Sequence, residues 1–294
     1  MPFNDGIDRK FCFSLTDFRE FEYCPFRFFV LHHFGLGKKY ELAEGNFNMA
    51  LGSLLDETIK LFHQTNSYNQ PPEYVANLIK ASLNKMLDKV AKSSSPTFYS
   101  AIKYFLDDNL CKKASEIFIE YYNALNGHIK KSIEPVGFCE WIIEGEDGKW
   151  KLWGGPDAIE MGDDGIPEIC DYKYREDVEK GKENLDMDLM PKLYTLLCCK
   201  RLIDLGYKKA RFIVRLWLEP KNNDLYEEFD LDKVFQFEEI FKQKIAKIIS
   251  TTKLSFCNKS FCKICNSNKK GEFLRELESK KIIQMDENLL FSPV

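Results

Sequence analysis

Two groups of residues in this chain have the types and spacing to do chemistry. The first lies in GGPDAIEMGDDGIPEICDYKYR, residues 154–175. Asp171 and Lys173 stand two apart in an expected strand, so their side chains share a face, while Cys170 and Tyr172 turn into the packing. Asp157 falls on the preceding strand, beyond a tight turn. Carboxylates brought together bind a hard cation such as Mg²⁺ and leave coordination positions for water and phosphate oxygens. Such a cation lowers the pKa of its water and stabilises charge on a phosphoryl group. A neighbouring ammonium orients the water or neutralises the phosphate. Those are the parts that phosphodiester hydrolysis needs. Register imposes a condition. A hairpin loop of even length would set Asp157 opposite Cys170, on the wrong face, so an odd-length loop or a bulge is required. Taken alone, Asp-x-Lys is common, and on these residues by themselves an exposed hairpin with ordinary surface charges is the favoured reading.

The second group is cysteine. Cys257, Cys262 and Cys265 crowd into one short lysine-rich stretch, and Cys24 precedes a proline near the other end. Four thiolates can hold an iron–sulfur cluster or a tetrahedral zinc ion. In a reducing compartment the ten cysteines of the chain do not suggest disulfides. Cys12, Cys111, Cys139, Cys170, Cys198 and Cys199 read as small buried hydrophobes. His32, His33, His63 and His128 show no partner pattern and read as surface or satisfied packing residues. Trp141, Trp150, Trp153 and Trp217, with Phe28 and Phe29, read as core.

The elements that must position these residues follow from the pattern. Ser14 is a helix N-cap with Asp17 as its acidic partner, and Cys24-Pro25 breaks the aromatic segment behind it into two short helices. Residues 47–65 form a helix with Leu51, Leu54, Leu55, Ile59 and Phe62 on one side. Residues 73–127 read as helical with a break near Ser93-Ser94-Ser95-Pro96. Three β-rich runs follow, 136–144, 150–161 and 166–174, with turns at 145–148 and 162–165, and read as a three-stranded meander. A helix over about 190–205, a strand over 210–218 and a helix over 231–250 complete the order, before a cysteine-bearing loop. This is an α/β (α+β) fold: a mixed central sheet flanked by helices in one domain, 1–294, with a helical insertion at 66–130 and a cysteine-rich segment at 255–270 that pairs with Cys24.

Composition narrows the class. The chain has 294 residues, 44% hydrophobic and 30% charged, the proportions of a folded domain. No apolar run is long enough to cross a membrane, and the start MPFNDGIDRKF lacks the apolar core of a signal peptide, so a cytoplasmic protein is expected. The net charge of −4 does not announce a nucleic-acid binder. Locally, residues 242–281 hold eleven Lys or Arg against three Glu, and residues 155–190 hold twelve Asp or Glu against four Lys or Arg. The basic tail could follow a phosphate backbone and the acidic centre could hold divalent cations, although charge runs are usually solvated surface.

Read in order, four motifs resemble the RecB/AddB-like branch of the PD-(D/E)XK nucleases, which includes the CRISPR-associated exonucleases. They are SLTDFREFEYCPFRFF (14–29), GSLLDETI (52–59), GGPDAIE followed by EICDYKY, and CNKSFCKIC (257–265). The resemblance spans residues 14–265 and implies a restriction-endonuclease-like core. It implies that Asp157 and Asp171 are ligands of Mg²⁺ or Mn²⁺ and that Lys173 is the catalytic lysine. The backbone carbonyls of Ile169 and Cys170 become candidate ligands, and Tyr194 a residue near DNA. It also implies a 4Fe–4S cluster on Cys24, Cys257, Cys262 and Cys265, with Zn²⁺ the alternative. This chain departs from the family pattern in three places. Asp56 stands where the family often has a histidine, and a carboxylate can still bind metal. Met190, followed by Pro191, stands where the family often has a glutamine, and Met cannot hydrogen-bond as an amide does. The Cys-x-x-Cys comes last in the tail rather than first. The expected activity is metal-dependent cutting of DNA, from an end on a single strand, in repair, recombination or CRISPR adaptation with partner proteins of those processes. Two alternatives stay open: a catalytically degenerate DNA-binding subunit, and a zinc-stabilised interaction protein whose Asp-Tyr-Lys is accidental.

Overall fold

A computed structural model of the chain describes residues 11–33, 46–71, 73–92, 103–133, 139–145, 148–175, 189–221 and 225–251, and parts of 253–285. The described chain opens with β1 (Cys12–Phe13), α1 (Leu15–Tyr23) and α2 (Pro25–Phe28), followed by a π-helical turn, Phe29–His33. The expected capping box closes α1: the Asp17 carboxylate accepts from both the Ser14 N–H and the Ser14 hydroxyl, at 2.7 and 2.6 Å. At the break, Cys24 is the N-cap of α2. Its Sγ accepts from Arg27 N at 3.3 Å, and Pro25 stands where a helix needs no donor.

Next come α3 (Phe47–Gln64), α4 (Tyr74–Lys92) and α5 (Asp108–Ala124). Residues 93–102, where the sequence indicates a break, lie outside the described residues. Then follow β2 (Cys139–Gly145), β3 (Gly148–Gly154), β4 (Ala158–Met161), β5 (Pro167–Lys173), α6 (Leu189–Asp204), β6 (Lys209–Leu216), β7 (Tyr226–Asp230) and α7 (Phe237–Ile249). A short parallel pair, Lys253–Leu254 with Gln284–Met285, closes the described tail. No helix among the described residues is long and apolar enough to cross a membrane.

The expected meander is corrected. The run 150–161 is not one strand: it breaks at Gly155-Pro156 and its halves join different sheets. β3 pairs with β2 antiparallel and with β1 parallel, forming a three-stranded sheet. β4 begins a four-stranded mixed sheet of order β4-β5-β6-β7, in which only the β5–β6 pair is parallel. Strand-forming apolar residues stand on both sides of Gly155-Pro156, which is why the sequence reads as one run there. β7 was not expected at all. Its sequence YEEFD has a single buried residue, Phe229, and three acids, so it carries almost no strand signal. It is an edge strand whose acids meet β6 cations: Lys209 Nζ lies 2.8 Å from Glu228, and Arg211 Nη2 lies 3.2 Å from it.

The four-stranded sheet divides two apolar cores. One packs Ile159, Ile169, Phe212 and Val214 against α1, α6, α7 and the three-stranded sheet. The other packs Ala158, Cys170, Tyr172 and Ile213 against α3, α4 and α5, of which α4 and α5 fall within residues 66–130. Trp141, Trp150 and Trp217 are buried, as are Phe28 and Phe29. Trp217 touches Phe118, Tyr121 and Tyr172 within a cluster of rings.

Candidate active site and cysteine centre

Register settles the condition set by the sequence. Met161 pairs with Pro167 and Ala158 with Cys170, so the connecting loop is 162–166, five residues long. Continuing that odd register by one step puts Asp157 beside Asp171. The loop is tight because Gly165 takes φ +80°, and a Cβ on Gly162 would lie 2.7 Å from the Ile166 carbonyl oxygen. Both glycines are therefore required by the hairpin that aligns the two aspartates. Asp157 is held at both ends: its N–H donates to the Cys170 carbonyl at 2.9 Å, and its Oδ2 accepts from Tyr172 N at 2.8 Å. The Cys170 carbonyl, a candidate ligand from the sequence, is thus already accepting one hydrogen bond. Ile169 sits within the ladder between Ile159 and Phe212.

Asp157 and Asp171 are both buried, and Lys173 Nζ lies 2.6 Å from Asp171 Oδ2. From α3 come Asp56 and, one turn later, Lys60, whose Nζ lies 2.7 Å from Asp157 Oδ1. Asp56 Oδ1 is buried with no hydrogen-bond partner among the described residues. Burial, then the charge of Asp157, pushes the Asp56 carboxyl well above the usual carboxylate range. Burial also raises Asp171, against the pull of Lys173. For Lys173, burial alone would weaken the ammonium. Asp171, Asp56 and Asp157 together outweigh it, so the group is held firmly protonated. The sequence reading missed Lys60, although its spacing of four from Asp56 on one helix was the available signal.

Tyr194 arrives from α6. Its ring stacks on Phe212 at 5.9 Å between centroids, and its phenol is raised by burial and then by Asp171. A Cβ on Gly154 would lie 3.3 Å from the Tyr194 ring, so the glycine before the Gly-Pro-Asp turn makes room for it. Met190 is buried, with its sulfur 3.9 Å from Arg19 Nη2, and Pro191 is buried in the first described turn of α6.

These residues fit a hard divalent cation. The donors are three carboxylates from separate segments, burial and the charge of Asp157 push up both Asp56 and Asp171, and Asp56 Oδ1 is buried without a hydrogen-bond partner among the described residues. The fit rests on donor chemistry: oxygen ligands gathered where burial penalises uncompensated negative charge.

The other face of β4 and β5 carries a second polar group. The Glu160 carboxylate accepts from the Tyr172 hydroxyl at 2.7 Å and lies 3.5 Å from Arg215. Glu168 pairs with Arg215, with Arg211 at 3.4 Å and with Lys130 at 3.2 Å. His63 Nδ1 meets the Tyr68 hydroxyl at 2.8 Å, and burial lowers its pKa to about 4, opposed by Asp157. It is a buried packing histidine satisfied at Nδ1 only: its Nε2 has no hydrogen-bond partner among the described residues and lies 3.8 Å from Glu160 Oε1. His128 is exposed. The side chains of His32 and His33 lie outside the described residues.

At the opposite end of α1, the sulfur atoms of Cys24, Cys257, Cys262 and Cys265 all lie within 4.8 Å of one another. Cys24 and Cys265 are 3.5 Å apart, and Cys265 Sγ also accepts from Cys257 N at 3.3 Å. The hydrogen bond between the two sulfurs lowers the Cys24 thiol and raises that of Cys265. Four thiols gathered from both ends of the chain fit a metal ion or cluster. Lys259 fastens the loop, donating to the Tyr23 carbonyl at 2.6 Å with its Nζ 4.3 Å from the Tyr23 ring centroid. Lys244 pairs with Glu22. These two tail lysines are engaged within the chain rather than displayed to a phosphate backbone.

The chain matches the PD-(D/E)XK nuclease superfamily over residues 12–269 and belongs to it. Members of this superfamily are usually metal-dependent nucleases that use divalent cations, and such a protein is expected to bind DNA. No curated protein matches the chain. Among solved structures, the crystal structure of SSO0001 aligns over 58% of this chain and 82% of its own, at 13% identity and a TM-score of 0.22.

Proposed function

We propose that this protein is a DNA exonuclease of the RecB/AddB-like branch, acting on single-stranded ends in the cytoplasm during repair, recombination or CRISPR adaptation. Asp157 and Asp171, with Asp56 at the position of the family's histidine, are the ligands for Mg²⁺ or Mn²⁺. A divalent cation bound there supplies Lewis acidity to the phosphodiester and acidity to its water. The observation that carries the reading is the convergence of Asp56, Asp157 and Asp171 beside Lys173 on one face of the β4–β5 hairpin.

The chain's own groups divide the work. Lys173, held protonated by three aspartates, serves as a fixed positive charge that orients water or meets the phosphate, and not as a base. Tyr194, held as a neutral phenol, donates to a DNA phosphate oxygen. Tyr172 N and the Cys170 carbonyl hold Asp157, so its carboxylate keeps its orientation as substrate arrives. The four cysteines hold a structural 4Fe–4S cluster, with Zn²⁺ the alternative, which ties the tail to α1. One observation favours a second reading, a subunit that binds DNA without cutting it: Met190 is buried and cannot reach substrate where the family often presents an amide.

The test is cleavage of end-labelled single- and double-stranded DNA by anaerobically purified protein, with Mn²⁺ or with EDTA, beside Lys173→Ala. The proposal expects Mn²⁺-dependent shortening from an end, lost in the variant, with the visible absorption of the cluster unchanged. Folded, cluster-loaded protein that binds DNA and leaves it intact would select the second reading.

A further inference from the structure

Lys60 has no role in the reading above, yet it makes the closest contact to Asp157. Its Nζ is 2.7 Å from Asp157 Oδ1, while its side chain keeps 30% exposure against 6% for the aspartate. The aspartate is anchored by Tyr172 N on its other oxygen, so of the two partners the lysine is the one free to move. Asp56 and Lys60 are four apart on α3 and share a helix face. An aspartate at residue 56 adds a negative charge that a neutral ligand would not, and the lysine one turn on offsets it. With all three aspartates ionised, as ligands of a cation are, they stand against two lysines with one formal negative charge in excess. A divalent cation turns that into one positive charge, and a phosphodiester cancels it.

We propose that Lys60 is a built-in counter-cation of this site: it occupies Asp157 when no divalent cation is bound, is displaced when one binds, and then meets the substrate phosphate. It is thus a positioning residue that sets metal affinity and a contact residue for DNA. The inference rests on the nuclease reading, since it takes Asp157 as a ligand. Its signature is a pair of effects of opposite sign, which a merely structural lysine would not produce.

The test uses the full chain, anaerobically purified with its cysteine centre intact. Mn²⁺ is titrated calorimetrically into wild type, Lys60→Met, Lys60→Arg and Asp157→Asn. Lys60→Met should tighten Mn²⁺ binding about tenfold by removing the competitor for Asp157. In a Lys173→Ala background that leaves DNA uncut, the same change should weaken binding of a fluorescent single-stranded oligonucleotide several-fold at saturating Mn²⁺. Lys60→Arg keeps the charge, so it should restore DNA binding, and it carries the test if Lys60→Met is unstable. Mn²⁺ affinity that is unchanged or weaker in Lys60→Met, or DNA binding that does not fall, overturns the role of Lys60 and leaves the nuclease reading standing. Wild-type protein whose Mn²⁺ binding survives Asp157→Asn intact overturns both.

Discussion

Strands β4 and β5 carry two polar groups on opposite faces, built from alternating residues of the same hairpin. On one face, Glu160 and Glu168 are buried and answered by the Arg215 guanidinium, the Tyr172 hydroxyl, Arg211 and Lys130. On the other, Asp157 and Asp171 are equally buried but answered by flexible lysines, and Asp56 offers an oxygen with no hydrogen-bond partner among the described residues. Both faces collect acids, and only one leaves them short of rigid donors. A planar guanidinium forms a stable fork with carboxylates, whereas a lysine is a mobile point charge that another cation can replace. The face closed by guanidinium forks is suited to holding the hairpin together, and the face answered by lysines is the one we propose takes the ligand, although Glu160, Glu168 and Cys170 on the first also lie close enough to share an ion.

The contrast can be broken from either side. Arg215→Met leaves Glu160 and Glu168 buried without their main counter-charge, and should cost about 3–5 kcal/mol of stability in urea unfolding. A loss below ~1 kcal/mol would show that the guanidinium face is not what holds the hairpin. Asp171→Asn should act in the opposite sense, lowering metal-dependent cutting ~10²–10³-fold while stability moves by no more than ~1 kcal/mol, because two other aspartates still face Lys173. Unfolding of that variant under conditions where wild type is folded would make Asp171 a structural residue. The smallest effect is in pH. His63 is lowered to about 4 by burial. An unfolded histidine titrates near 6.5, so between those values the unfolded chain takes up a proton that the folded chain refuses. The stability held by neutral His63 is therefore complete above about pH 6.5 and is lost as pH falls toward 4, by on the order of 2–3 kcal/mol. His63→Gln should flatten that part of the stability–pH curve, and a variant whose curve overlays wild type would place the acid-sensitive group elsewhere.

Part of this molecule was legible before any coordinates. The Ser14 cap, the break at Cys24-Pro25, the apolar face of α3 and the strand carrying Asp171 and Lys173 are local features, governed by spacing and by backbone donors within a few residues. So was the need for an odd-length loop, which the five residues from Gly162 to Ile166 supply. The split of 150–161 between two sheets was not legible, because strand-forming residue types do not report which neighbours a strand pairs with. Edge strand β7 escaped for a related reason: its acidic sequence carries little strand signal, and it was the pairing with β6, which sets Arg211 opposite Glu228 and Lys209 opposite Asp230, that made it a strand.

The site divides in the same way. By itself the sequence determined which residue types were available and, within one hairpin, that Asp171 and Lys173 share a face. The fold alone decided that α3 delivers Asp56 and Lys60 to Asp157, that Tyr194 packs into the space above Gly154, and that four thiols from opposite ends of the chain come within 4.8 Å of one another. It also decided which acids are answered by guanidinium groups and which by lysines. The physical reason is that charge satisfaction depends on distances between groups far apart in sequence, and those distances are set by packing around two cores rather than by spacing along the chain.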